Sequence, residues 1–139
     1  MGLIHRLARA LLSGIFISGG IDVLRDPEPR AVIAGPFLQR VRPLAPALPG
    51  DPLLVVRANA AIQIAAGATL AVGILPRLSA LALAGSLVPT TLGAHRFWEM
   101  QGPAAAQQRT QLLKNAAILG GLILVASVPA SIHRTSEIA

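Results

Sequence analysis

The sequence predicts an all-α integral membrane protein, a four-helix bundle whose helices run up-down-up-down through the bilayer. Two observations carry this prediction. Of the 139 residues, 53% are hydrophobic and 13% are charged, with a mean hydropathy of +0.63, whereas soluble domains carry about 25% charged residues. Four apolar segments, near 7–24, 53–75, 78–94 and 112–128, also have about the length at which a helix spans a bilayer core. We expect one transmembrane domain over residues 1–139.

The first span follows a short basic leader and ends near an acid. Small residues recur every four positions at Ala10, Gly14 and Ser18, a ridge that permits close approach of a second helix, and Asp22 lies one step further. A cleavable signal peptide is the competing interpretation. Because no clear Ala-x-Ala site follows and three more apolar segments come after, we expect the span to be retained.

Residues 25–52 form the long first connection. Two prolines and alternating charges at 25–30 stop a helix. Residues 31–42 mix apolar side chains with flanking arginines, which suits a segment lying in the membrane interface and broken at Gly35-Pro36. The four prolines that follow recur at every third position, a spacing that favours an extended, polyproline-like linker.

The second span carries three polar side chains. Asn59 and Gln63 are four residues apart and share a helix face, whereas Arg57 lies on roughly the opposite side of that helix. A tight turn at 76–77 then leads to the third span, in which we expect a kink at Pro89.

The chain's main aromatic cluster, HRFW at 95–98, closes the third span, and Trp98 is the interfacial anchor expected there. A polar loop at 101–111, with Pro103 suited to open a short helix, leads to the fourth span. Lys114 and Asn115 lie just inside that apolar run. A charge at the bilayer centre costs roughly 2.5–3.5 kcal/mol and less near an end, so Lys114 needs a partner, a water path or a route to the interface.

An up-down-up-down bundle brings four ionisable residues to one side of the membrane. These residues are Asp22, Arg57, His95 and Lys114, and the opposite side offers little besides Arg77 and the termini. Such a cluster at the mouth of a bundle is a candidate ligand or anion pocket. A purely structural account stands beside it, in which Asp22 pairs with one of the cations and the other cation reaches lipid phosphate.

Composition excludes several kinds of site. The chain has no cysteine, which removes disulfides, thiolate metal sites and a thiol relay, and its three scattered histidines predict no metal site. The net charge of +6 comes from dispersed arginines without interleaved aromatics, so we expect no nucleic-acid partner. The bilayer and its anionic headgroups are the expected counterparts.

Two signals for membrane orientation disagree. Arg6 and Arg9 favour a cytoplasmic N-terminus, whereas the connections place more arginines on the opposite side of the membrane. Both orientations stay open at this point.

Several stretches, taken in order, resemble one family. They are FISGG at 16–20, AIQIAAGATLAVG at 61–73, HRFW at 95–98 and LKNAAILGGL at 113–122. This ordered set resembles the DoxX family of small bacterial four-span membrane proteins over nearly the whole chain. The resemblance implies a multi-pass protein of the bacterial inner membrane, and some relatives are subunits of thiosulfate:quinone oxidoreductase or are linked to thiol redox systems.

Carried over by position, the recurring polar residues of the family fall on His95, Trp98, Lys114 and Asn115, with Gln63 at a site that is often polar. The resemblance implies a subunit of a quinone- or thiol-linked oxidoreductase system, with no intrinsic cofactor but a bound quinone or lipid and a redox protein as partner. Lys114 or Arg57 would then stabilise a quinol oxyanion while His95 passes protons.

Two other functions compete with this one. The first is a non-catalytic accessory protein that docks a partner through its arginine-rich first connection. The second is a transporter, which is weaker because four spans leave little room for a pathway without a homo-oligomer and no inverted repeat is visible. In neither case is the chain expected to be an enzyme by itself.

Overall fold

The computed structural model describes residues 2–94 and 97–128, which form five α-helices and a 3₁₀ turn and contain no strand. The α-helices are α1 (Leu3–Arg25), α2 (Glu28–Val41), α3 (Pro52–Val72), α4 (Pro76–Ala94) and α5 (Gly102–Ser127), and the 3₁₀ turn is Phe97–Glu99. Helices α1, α3, α4 and α5 are long and apolar enough to cross a membrane. The predicted all-helical class with four spans is therefore confirmed.

Helix α3 shows how local sequence sets the ends of a span. The Asp51 Oδ1 atom accepts a hydrogen bond from the Leu53 N–H at 2.9 Å, an N-cap with Pro52 in the first helical position, where its missing N–H is not needed. The helix ends at Val72, three residues before the predicted end at 75, because Gly73 adopts a left-handed conformation with φ +84° that reverses the chain.

Two other predicted boundaries are wrong. Residues 76–77 form the start of α4 and not a separate turn, since Pro76 occupies the first helical turn of that element, as a proline can. Of the segment predicted as a polar loop at 101–111, residues 102–111 are helical, and the helix opens beside Pro103, as the alternative of a short helix expected. The helix is not short, since it continues without interruption into the fourth span, because alanine and glutamine are strong helix formers.

The break predicted at Gly35-Pro36 is absent, since α2 runs through Pro36 as one helix. Tertiary packing stabilises α2 as one helix. Leu38 is buried, and a Cβ placed on Gly93 of α4 would lie 3.3 Å from the Phe37 ring, so α2 rests closely on the end of α4.

The linker before α3 consists of turns and not of the predicted polyproline-like strap. The Leu44 N–H donates to the Val41 carbonyl at 2.9 Å, and the Leu48 N–H donates to the Ala45 carbonyl at 3.0 Å. Arg42 closes this segment on itself, because its Nη2 donates to the Gly50 carbonyl at 2.8 Å.

The bundle core lies where α1, α3, α4 and α5 meet. Its buried apolar side chains are Phe16, Leu70, Ala80, Leu83, Leu87 and Leu122. Helix α1 packs mainly on α3, and α4 packs on both α3 and α5, whereas α1 and α5 meet over a short stretch only. Where they meet, a Cβ on Gly121 would lie 3.1 Å from Leu12.

Candidate ligand pocket

A cavity of about 330 Å³ lies at the end of the bundle where α1 ends and α3 begins, and all five α-helices line it. We call this cavity the pocket. Its walls are largely apolar, with Phe16 and Gly19 on α1, Phe37 on α2, Leu87 on α4 and Ile118 on α5. Its volume lies at the lower end of the range of small-molecule sites, about 300–1,000 Å³.

Helix α2 forms one wall of the pocket. Ile33, Ala34, Phe37 and Leu38 line the cavity, and their spacing of three and four residues places them on one helix face. The C-terminal turn of α2 is joined to the 3₁₀ turn by an ion pair, with the Arg40 Nη1 atom 3.5 Å from the Glu99 Oε1 atom. The first connection is therefore part of the site and not only a linker.

A hydrogen-bonded chain of side chains joins α3 to α4 beside the pocket. The Gln63 Nε2 donates to the Ser86 Oγ at 2.9 Å, and the Ser86 hydroxyl donates to the Asn59 Oδ1 at 2.8 Å. The Asn59 Nδ2 lies 3.5 Å from the Thr90 Oγ1. Of these, Asn59, Gln63 and Thr90 line the cavity.

Helix α5 adds a second polar contact. The Asn115 Nδ2 donates to the Thr91 Oγ1 on α4 at 3.0 Å, and the Thr91 hydroxyl in turn donates to the Leu87 carbonyl at 2.7 Å. Lys114 lines the pocket beside Asn115, and its Nζ donates to the Gln111 Oε1 one turn earlier in α5.

Three of the predicted site residues, Gln63, Lys114 and Asn115, thus line the same cavity. Two others do not. Asp22 pairs with Arg25 at 3.7 Å, and both side chains are more than 70% exposed. Arg57 is also exposed and does not line the pocket. The expected pairing of Asp22 with Arg57 or Lys114 is therefore not what the structure has.

Trp98 lies outside the pocket as well. It is 54% exposed, and its ring meets that of Phe97 edge to face with the centroids 5.4 Å apart. His95 falls outside the residues that the structure describes, so its predicted role stays a prediction.

The pocket residues that α2 and α4 contribute were not predicted from the sequence. Arg30 lines the pocket although the first connection was not expected to reach it. Ser86 and Thr90 are four residues apart on α4, as Asn59 and Gln63 are on α3. From this shared spacing, the contact between the polar faces of α3 and α4 could have been predicted.

The opposite end of the bundle is more polar than expected. Arg9 belongs to α1 and is 9% exposed, and a Cβ on Gly73 would lie 2.8 Å from its Nη2 atom. The Thr69 and Ser79 hydroxyls are 2.8 Å apart, and the Arg77 Nε donates to the Ala126 carbonyl at 2.9 Å. The expectation was that this end holds little besides Arg77 and the termini, and the Thr69 and Ser79 hydroxyls are polar groups beyond these.

The chemistry available to the pocket follows from its lining. Within the part of the chain that the structure describes, its ionisable groups are Arg30 and Lys114, and no group of three metal-binding side chains occurs. Its amide side chains can both donate and accept hydrogen bonds but do not ionise near neutral pH. The lining is therefore suited to hold an apolar molecule by a polar head.

The family model described as DoxX matches residues 4–96. This stretch runs from the start of α1 past the end of α4 and therefore includes the polar side chains that α3 and α4 contribute, whereas Lys114 and Asn115 on α5 lie beyond it. No curated protein and no solved structure matches the chain.

Proposed function

Because the chain is a multi-pass membrane protein of the DoxX family, we propose that it is a ligand-binding subunit of an oxidoreductase system in a bacterial inner membrane. The pocket would hold a quinone or a similar lipid-like molecule, and a partner protein would supply or remove the electrons. The observation that carries this proposal is an apolar cavity of about 330 Å³ with amide and hydroxyl side chains gathered along one wall.

The amide side chains suit a molecule that changes between two hydrogen-bonding states. A quinone carbonyl accepts a hydrogen bond, and a quinol hydroxyl donates one. Gln63 and Asn115 each use one N–H to bond a hydroxyl on α4, and an amide group has a second N–H and a carbonyl oxygen to offer. Both redox states could therefore be bound without rearranging the wall.

The same lining supports a binding role over catalysis by this chain alone. Arg57 lies outside the pocket, which leaves Lys114 as the predicted cation able to stabilise a quinol oxyanion. The amides cannot act as general acids or bases. Electron transfer would therefore depend on a partner, and proton transfer would depend on that partner or on His95, which agrees with a subunit and not a self-sufficient enzyme.

Gly19 offers a way to fill the pocket without disturbing the bundle. It lines the cavity, and a Cβ placed there meets nothing within 4 Å. Gly14 is a matched control on the same helix, since its Cβ also meets nothing within 4 Å but it does not line the cavity. Gly19→Leu should therefore occupy ligand space, and Gly14→Leu should not.

The test is to purify the wild type and both variants in detergent, extract them, and identify bound quinone by mass spectrometry, with binding of added decylubiquinone as a second readout. We expect quinone in the wild type and in Gly14→Leu, and a loss of at least about tenfold in Gly19→Leu. Equal quinone in all three would show that it binds elsewhere. A wild type that neither retains quinone nor binds decylubiquinone would refute the quinone assignment.

A second candidate function is docking of a partner protein through the first connection. It is favoured by Arg40, whose side chain is 67% exposed, whereas Arg42 is held by the Gly50 carbonyl. Pull-down of partners with Arg40→Ala should then lose more protein than with Arg42→Ala. Unchanged recovery with both changes combined would remove this candidate.

A further inference from the structure

We propose that the pocket selects an anionic amphiphile, a molecule with a carboxylate or phosphate head on a single apolar chain or ring, and that Arg30 and Lys114 bind this head. This inference rests on the proposed function, because it requires the pocket to take a ligand from the membrane. It goes further by naming the charge of the head that the pocket prefers, since a quinone is neutral and the amide side chains can bond a neutral or an anionic head.

The charged groups of the pocket lining are positive. In the described part of the chain, the residues lining the pocket include two cations and no carboxylate. Of the acids at this end of the bundle, Asp26 and Glu28 are exposed and do not line the pocket, and three others have partners elsewhere. The Asp22 carboxylate pairs with Arg25 on the surface, Glu99 pairs with Arg40, and the Asp51 carboxylate caps α3.

Neither of these two cations pairs with an acid in the part of the chain that the structure describes. The Lys114 Nζ donates to the Gln111 carbonyl oxygen, a neutral group that leaves the positive charge uncompensated. Arg30 forms no ion pair with any residue that the structure describes. Both side chains are exposed, so an acidic head can reach them from outside the bundle, and a charged group in the membrane calls for a partner of opposite sign.

The placement of the two cations would let both bind one acidic head. Arg30 is on α2 and Lys114 is on α5, so they reach the same cavity from different helices. A guanidinium offers five N–H donors and an ammonium offers three. An acidic head between them could accept hydrogen bonds from both, while the apolar part of the ligand contacts Phe16, Phe37 and Ile118 on the walls.

The size of the pocket limits the rest of the ligand. A cavity of about 330 Å³ is at the small end of ligand sites, so it suits one chain or one ring and not the two chains of a phospholipid. Free phosphate has the right charge but would gain nothing from the apolar walls. An anionic head together with one apolar chain or ring therefore defines the ligand class.

The experiment uses the full chain in a neutral detergent and native mass spectrometry. The probes are oleate, oleyl alcohol, decylubiquinone and inorganic phosphate. Oleate and oleyl alcohol share the same chain and differ in the charge of the head. We expect the wild type to bind oleate at least about tenfold more tightly than oleyl alcohol, the ratio that charge-assisted hydrogen bonds provide.

Substitutions assign the preference to the two cations. Arg30→Gln and Lys114→Gln should each reduce the oleate preference, and the double variant should bind both probes alike. Lys114→Arg, which keeps the charge, should retain the preference. Arg109→Gln is the matched control, because Arg109 is a cation of α5 that does not line the pocket, and it should behave as the wild type.

Each outcome decides the inference. Equal affinity of the wild type for oleate and oleyl alcohol overturns the anionic preference, and this measurement needs no variant. In that case the proposed function still stands if decylubiquinone binds the wild type and Gly14→Leu but not Gly19→Leu. A preference unchanged in the Arg30→Gln, Lys114→Gln double variant also overturns the inference. Binding of no amphiphile overturns both proposals. Displacement of oleate by an equal concentration of inorganic phosphate overturns it too, since the apolar walls would then contribute nothing.

Discussion

Two adjacent glycines of α1 should respond in opposite ways to alanine, and the difference measures how closely α1 approaches α3. A Cβ on Gly20 would lie 2.7 Å from the Ile64 Cγ1 atom and 2.9 Å from the Ala60 carbonyl oxygen. A Cβ on Gly19, one residue earlier, meets nothing within 4 Å. Gly20→Ala therefore forces the two helices apart, and Gly19→Ala does not.

The magnitude follows from the atoms that would clash. The Ile64 side chain can move, but the Ala60 carbonyl belongs to the backbone of α3, so the helix itself must shift. Overpacking of this kind costs about 1–3 kcal/mol. Both substitutions gain up to about 1 kcal/mol from replacing a helical glycine, and this gain cancels in their difference. We expect Gly20→Ala to be less stable than Gly19→Ala by about 1–3 kcal/mol.

A third glycine gives an internal ranking. A Cβ on Gly67 would lie 2.9 Å from the Ile17 Cγ1 atom and 3.4 Å from the Ser13 carbonyl oxygen. As at Gly20, the closest atom belongs to a side chain that can move, but here the backbone contact is longer. The loss in Gly67→Ala should therefore be smaller than that in Gly20→Ala.

The assay is unfolding of each purified variant in mixed micelles of a mild and a denaturing detergent, followed by helical circular dichroism. The expected order of stability is Gly19→Ala, then Gly67→Ala, then Gly20→Ala. If Gly20→Ala unfolds at the same denaturing-detergent fraction as Gly19→Ala, α1 and α3 do not approach each other as closely as described. The position of the pocket wall that α1 contributes would then be wrong.

The remaining predictions concern polar contacts. Ser86→Ala removes the hydroxyl that links the two amides of α3, so it should lower the free energy of unfolding by about 1–2 kcal/mol. Thr110→Ala, on an exposed part of α5, is the control and should change this free energy by less than about 0.5 kcal/mol. Equal losses would contradict a structural role for the hydrogen bonds between α3 and α4. A double-mutant cycle of Arg40→Gln and Glu99→Gln should give a coupling of about 0.2–1 kcal/mol that salt reduces, and a coupling insensitive to salt would contradict an exposed ion pair. Arg42→Gln should increase amide hydrogen exchange in the turns before α3 with little change in global stability, and unchanged exchange would show that its bond to the loop does not hold them.

The class of the protein could be predicted from the sequence because it depends on additive, local properties. Low charge and four apolar runs of spanning length are enough to indicate a helical membrane protein, since only helices and closed barrels satisfy the backbone in lipid. Helix ends were partly readable as well. Gly73 ends α3 by its left-handed conformation, but the polar first part of α5 was predicted as a loop, because polarity and helix propensity are separate properties.

The candidate site was only partly predictable. Sequence order indicated which end of the bundle would hold Lys114, since antiparallel spans return to the same side of the membrane, and the family resemblance singled out Gln63 and Asn115. Helical spacing placed Arg57 on the side opposite Asn59, but nothing in the sequence indicated that Asp22 lies at the surface, nor that α2 lines the pocket and brings Arg30 to it. Those facts depend on the rotation of each helix about its own axis and on packing between segments distant in the chain.

That rotation is poorly marked in a membrane protein for a physical reason. Lipid tails are as apolar as a leucine side chain, so the face of a helix toward the core and the face toward lipid carry the same kind of residue. Helix α4 shows this directly, since Leu83 is fully buried and Leu81, two residues earlier, is 59% exposed. Hydropathy therefore determined that these helices lie in a membrane, whereas only the tertiary structure decided which polar side chains meet within it.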